Sequence, residues 1–171
     1  MSNFNRRIFI LLGITSMILS LSACSLNSKN KVTAPRMVRQ DAKIIIEGIE
    51  SGEHESILEI FSPYVKENYP NLESDIAELM KFIDGNIISY DDVYDEPVSG
   101  TSTPEGWIKR GIAGTIDNII TTTGKTYTLK FEGYFVYKDE PNKEGIDYIA
   151  IISKDTFDEE GDPETKSIYY R

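Results

Sequence analysis

Between Pro35 and Glu50 the apolar residues recur at helical spacing: Val38, Ala42, Ile45, Ile46 and Ile49 fall on one side of a 3.6-residue period. Pro35 suits a first turn and Ser51-Gly52 a stop, so the pattern predicts a helix over about 35–50. A short helix is expected from about Glu55 to Phe61, ending before Pro63. A third starts after Pro70 with Asn71 as cap. It places Ile76, Leu79, Met80 and Ile83 on one face and ends at Gly85.

From Asn86 the period changes to two. Ile87 to Tyr94 is β-branched and aromatic, and Trp107 to Thr122 is a long run whose Gly111 and Gly114 suggest bulges or bends. Thr122 to Lys125 reads as a turn. The clearest strand runs from Lys125 to Lys138, with Tyr127, Leu129, Phe131 and Phe135 alternating against Thr126, Thr128, Lys130 and Glu132. A further strand is expected over Ile146 to Lys154, and a last one over Ser167 to Arg171. Helices first and consecutive antiparallel strands after them make an α+β order. The economical arrangement is three N-terminal helices packed on a curved antiparallel sheet, a cone or roll, within a single domain over residues 35–171.

Ahead of that domain the pattern is different in kind. Arg6-Arg7 precedes an apolar run, Ile8 to Leu21, that closes on Leu21-Ser22-Ala23-Cys24. The order is that of a secretory signal peptide: positive segment, apolar segment, small residues for a peptidase. Its end resembles the lipobox of bacterial lipoproteins, in which the cysteine receives a diacylglycerol and becomes the first mature residue. That resemblance implies a leader over 1–23, lipidation at Cys24 and attachment to the outer face of the cell membrane. Two other readings compete. A transmembrane anchor would have only Ile8 to Cys24, the lower end of the roughly 17–25 residues that span a bilayer, with no basic cluster directly after it. An ordinary secretory leader would leave the cysteine an accident. Paired arginines also leave the general and twin-arginine export routes both open. Residues 24–34, polar and without periodicity, read as a flexible tether.

The chain of 171 residues carries 18 basic and 28 acidic side chains, a net charge of −10. Without the leader's two arginines the balance is −12. This excludes nucleic acid as a partner and any surface that holds anionic lipid by charge, since both need clustered Lys and Arg. The expected partners are the bilayer, through acylated Cys24, and a protein, cell-wall or small-molecule ligand. Cys24 is the only cysteine, so no intramolecular disulfide is expected.

Several motifs dissolve on inspection. Gly124-Lys125-Thr126 resembles the end of a phosphate-binding loop, but Ile119 stands where that loop needs glycine, and a strand follows. The acids around Gly161 fail an EF-hand register, which would put Thr156 first and Ser167 twelfth. His54 is the only histidine and lies among glutamates, so neither a catalytic triad nor zinc is expected, and no cofactor or metal is assigned. The candidate pocket is Tyr90, Asp92, Trp107 and Arg110, with Tyr94, Tyr127 and Tyr134 as further aromatic groups on the strands. Tyrosine with carboxylate in a cone-shaped cavity is the ketosteroid isomerase arrangement, an analogy of fold alone.

One more resemblance rests on particular segments. Phe82-Ile83-Asp84-Gly85-Asn86-Ile87-Ile88-Ser89-Tyr90, Gly124-Lys125-Thr126-Tyr127 and Lys143-Glu144-Gly145-Ile146 resemble a family of small Firmicutes lipoproteins with a domain of unknown function. The resemblance covers about Val38 to Arg171. It implies an α+β cone similar to nuclear transport factor 2 and the cystatins, and it carries no activity or catalytic residue. The expected function is a membrane-anchored, non-catalytic binding or interaction domain. The alternative is a small cavity-bearing enzyme or small-molecule binder.

Overall fold

The computed structural model describes residues 33–169; the leader, Cys24 and the tether up to Val32 lie outside them. The chain begins with α1 (Ala34–Ser51), which starts at the last residue expected of the tether, followed by α2 (His54–Ile60). A helix that the sequence reading did not anticipate comes next, α3 (Pro63–Asn68), and then α4 (Leu72–Phe82). Pro63 was read only as the end of a helix. It also begins one: Ser62 is the N-cap, its hydroxyl accepting from the Val65 N–H at 3.3 Å, and proline at the first position loses no intrahelical bond.

Seven antiparallel strands form one open sheet: β1 (Ile87–Ser89), β2 (Tyr94–Asp95), β3 (Gly100–Thr103), β4 (Gly106–Thr121), β5 (Thr126–Tyr137), β6 (Gly145–Phe157) and β7 (Pro163–Tyr169). The order is β1-β4-β5-β6-β7, and β2 and β3 also pair with β4 along the edge that β1 shares. The single strand expected over Ile87 to Tyr94 is therefore two short pieces with an irregular link. β3 was not anticipated at all, since Gly-Thr-Ser-Thr offers no apolar alternation.

The helices cover one face. Val38, Ile45, Ile57, Ile76 and Leu79 meet Ile112, Ile116, Leu129, Phe131, Ile149 and Ile151 in one buried cluster. Gly114 lies on this face without bending the strand: a Cβ there would stand 2.4 Å from Phe131 Cζ and 3.0 Å from Val38 Cγ1. Its missing side chain is what lets α1 and Phe131 close over the sheet. A register shift falls opposite Arg110/Gly111, but its extra residue is Phe135 of β5 and not Gly111; the bulge within β4 itself lies between Ile116 and Ile119, where Asn118 takes φ +52°.

The far end of the sheet is tied to the helices through backbone. Phe61 forms a parallel bridge with Ile146, and the Ser62 N–H donates to the Ile146 carbonyl at 3.0 Å. So close an approach requires Gly145, at φ +127°, because a Cβ there would lie 2.8 Å from Ser62 N. α3 is thereby held beside the β5–β6 pair. Among the described residues no helix is long and apolar enough to cross a membrane.

Candidate functional site

The four pocket residues expected from the sequence do not share a pocket. Tyr90 and Asp92 lie in the link between β1 and β2, in no strand, and line a cavity of about 440 Å³ with Arg39, Lys43 and Ile46 of α1. Trp107 and Arg110 sit at the start of β4, several residues up the strand from Ile116, which closes that cavity. Trp107 is no core plug, and it lines neither the cavity of Tyr90 and Asp92 nor those of the cluster below. It is 39% exposed, lies across Gly100 of β3, and has the Arg110 guanidinium 4.9 Å from its ring centroid. Tyr127 belongs to the core, 2% exposed, with its hydroxyl accepting from the Asp84 N–H at 3.0 Å. Of the expected aromatic set, only Tyr134 meets the cluster described next.

That cluster forms at two register shifts along β5, one against each neighbouring strand. In β6, Glu132 pairs with Tyr148 and Gly133 with Ile146, so Asp147 is the extra residue of a bulge. Against β4, Lys109 stands opposite Tyr137 and Gly111 opposite Tyr134, so Phe135 of β5 is the extra residue of a second bulge. Bulges re-aim side chains that regular pleating would alternate. Here they bring Lys109, Glu132, Tyr134 and Asp147 to one place. Two cavities, of about 420 and 440 Å³, share these four residues as walls. The first is completed by Val98 to Thr101 of the β3 region, the second by Ser62, Tyr64, Tyr137 and Lys143.

The electrostatics of the cluster are asymmetric. Asp147 is half-buried, and burial pushes its carboxyl up to about 6; the charge of Glu132 adds to this, while its own N–H and Lys109 oppose it. Lys109 Nζ lies 4.6 Å from the Tyr134 ring centroid and 4.4 Å from that of Tyr137, and those rings meet edge to face at 5.0 Å. Burial works against the Lys109 charge, but the two phenol groups outweigh it and leave its pKa above the ordinary lysine value. Across the second cavity Lys143 Nζ is paired with Glu140 at 2.8 Å and lies 4.9 Å from the Tyr64 ring centroid. The arrangement supplies a cation, two carboxylates and apolar ring faces around solvent-connected space.

Sequence reading missed Lys109, Glu132 and Asp147, though one signal was present. Ile146, Ile149 and Ile151 are all buried, and the step from 146 to 149 breaks the period of two. That break is the bulge, and the polar residue inside it is Asp147. His54 is more tied than a free surface group: its Nε2 is 3.1 Å from Glu73 Oε1, which joins the starts of α2 and α4. Asp158, Glu160 and Asp162 form the one group of acids near enough to share a metal ion among the described residues. All three are exposed, and Asp158 Oδ1 already accepts from the backbone N–H groups of Glu160 and Asp162. They shape the turn.

The profile of a family described as a domain of unknown function, DUF5104, matches residues 43–154. The chain belongs to that family. No curated protein matches it. The DUF5104 segment runs from within α1 to within β6, so Lys109, Glu132, Tyr134 and Asp147 all fall inside it, whereas β7 lies beyond its end.

Proposed function

We propose that this DUF5104 protein is a lipid-anchored, extracytoplasmic binding domain whose ligand site is the Lys109–Glu132–Tyr134–Asp147 cluster. The observation that carries the reading is the convergence of two cavities of ligand size on the same four residues. A half-buried carboxylate set in a bulge costs stability unless something repays it, which is how binding sites differ from the rest of a fold. The anchor rests on Leu21-Ser22-Ala23-Cys24 after its apolar run. An origin among Firmicutes lipoproteins and an architecture of the nuclear-transport-factor-2-like type belong to the same proposal, supported by the leader and by helices covering one face of an antiparallel sheet.

A second reading, a proton-transfer enzyme, is favoured by one observation: Asp147, its carboxyl raised by burial to about 6, shares a cavity with the Tyr134 hydroxyl. Binding is preferred because Lys109, Glu132, Tyr134 and Asp147 line two cavities at once, a wall of opposite charges that a proton transfer does not need.

Two measurements test the proposal. Cells fed a clickable palmitate should label the wild-type protein and leave Cys24→Ala unlabelled and uncleaved. Label on Cys24→Ala defeats the anchor. In a thermal-shift screen of metabolites and cell-wall fragments, compounds that stabilise the wild type by mass action should fail to stabilise Lys109→Met/Asp147→Asn. Equal stabilisation of that variant defeats the site.

A further inference from the structure

We propose that the cluster takes a small zwitterion, a ligand that carries a protonated amine and a carboxylate, as a free amino acid or the ends of a short peptide do. The inference rests on the site reading above and names its ligand class. Lys109 is held by two tyrosine rings, and among the described residues no carboxylate lies within 4.0 Å of its ammonium. Glu132 and Asp147 likewise take part in no ion pair among the described residues. Yet the three groups share both cavities and are near enough to bias one another, Lys109 favouring the charged form of Asp147 and Glu132 opposing it.

Opposite charges that share a space without closing on each other leave an anion receptor and a cation receptor facing the same volume. A simple anion placed there would meet Glu132 and Asp147, and a simple cation would meet Lys109. A ligand with both charges answers each in turn. Charge-assisted hydrogen bonds of this kind are roughly twice as strong as neutral ones. The rings of Tyr134 and Tyr137 give the ligand's carbon skeleton an apolar wall, and cavities of about 420 and 440 Å³ lie within the range of small-molecule sites. Proton uptake by Asp147 removes half of the cation receptor. The groups that face Asp147 are Lys109 from β4, Glu132, Tyr134 and Tyr137 from β5, Tyr169 from β7, and Tyr64 and Lys143 across the second cavity. Affinity should therefore weaken as pH falls and Asp147 takes up its proton.

The experiment is calorimetric titration of the full chain in detergent micelles with alanyl-alanine, its N-acetyl form, its C-terminal amide and the doubly blocked form. The dipeptide should bind saturably, and each blocked form should bind at least about 10-fold more weakly, the loss expected for one charged hydrogen bond. Lys109→Met should erase the preference for a free carboxylate, and Glu132→Gln the preference for a free amine. Circular dichroism confirms that each variant is folded. Equal binding of the blocked forms, or no saturable binding up to about 10 mM, overturns the ligand class. Saturable binding of a neutral sugar that these same variants abolish would overturn the zwitterion and keep the site. Dipeptide binding that neither variant changes overturns both.

Discussion

Asp41 lies on the buried side of α1, 4% exposed, and its Oδ2 has no hydrogen-bond partner among the described residues. Nothing there stabilises a charge, and burial raises its carboxyl from the usual 3.8 to about 7. The linkage has an unusual sign. In the unfolded chain Asp41 loses its proton near pH 4, whereas in the native protein it keeps the proton until about pH 7. Between those values the native state holds more protons, so stability falls as pH rises. Below the window both states are protonated, and above it both are ionised and the loss is complete. The contribution is at most about 1.4 kcal/mol for each pH unit crossed. Denaturant unfolding at pH 5 and pH 7 should show wild type less stable at the higher value, and Asp41→Asn should lose much of that difference. Asp147 shifts in the same direction and leaves a smaller slope of the same sign. A variant as steep as wild type would show that Asp41 stays ionised in the native protein.

Glycines decide where the elements meet. Gly133 of β5 faces the bulge of β6, and a Cβ there would lie 2.1 Å from the Gly145 carbonyl oxygen. Gly124 occupies a left-handed turn, φ +83°, with nothing within 4 Å of an added Cβ. Gly124→Ala should therefore cost about 1 kcal/mol, the strain of a left-handed alanine. Gly133→Ala should cost on the order of 3 kcal/mol and also open the Asp147 bulge. Thermal unfolding of the two variants side by side checks the ranking, and equal melting points would defeat it. The same positions show what a sequence reveals. α1, α4, β5 and most of β4 were legible because burial on one face leaves a periodic trace: Ile45 and Ile46 in the helix, Leu129 and Phe131 in the strand. α3 and β3 were not, since one is announced only by a cap and the other only by its pairing with β4. The expected pocket failed for a related reason. The period of two puts Tyr90 and Asp92 on one face of a strand, yet they belong to an irregular link. The cluster that does form depends on two register shifts, and register lies in the pairing of strands more than in any one of them.

Residues 24–171 carry a net charge of −12, and among the described residues no helix is long and apolar enough to span a bilayer. Such a body has no electrostatic reason to lie on an anionic membrane and some reason to stand away from it. If the proposed anchor is correct, membrane attachment is supplied by the acyl chains on Cys24, at about 0.8 kcal/mol per buried methylene. The expected tether, shortened to residue 33 because α1 starts at Ala34, would then set how far the cluster can reach, at most about 3.6 Å per residue when extended. A direct consequence concerns the chain from Ser25 onward, which lacks both leader and lipid. It should not sediment with vesicles rich in phosphatidylglycerol, even at about 0.01 M salt, where the screening length is near 30 Å and any attraction between charges is at its strongest. Raising the salt should change nothing, because there is no attraction to screen. Sedimentation at low salt that disappears at high salt would reveal a basic patch acting against the overall charge. Sedimentation insensitive to salt would point to an apolar surface entering the lipid. In either case the acyl chains would not be the sole attachment, and the domain would work lying on the membrane rather than above it.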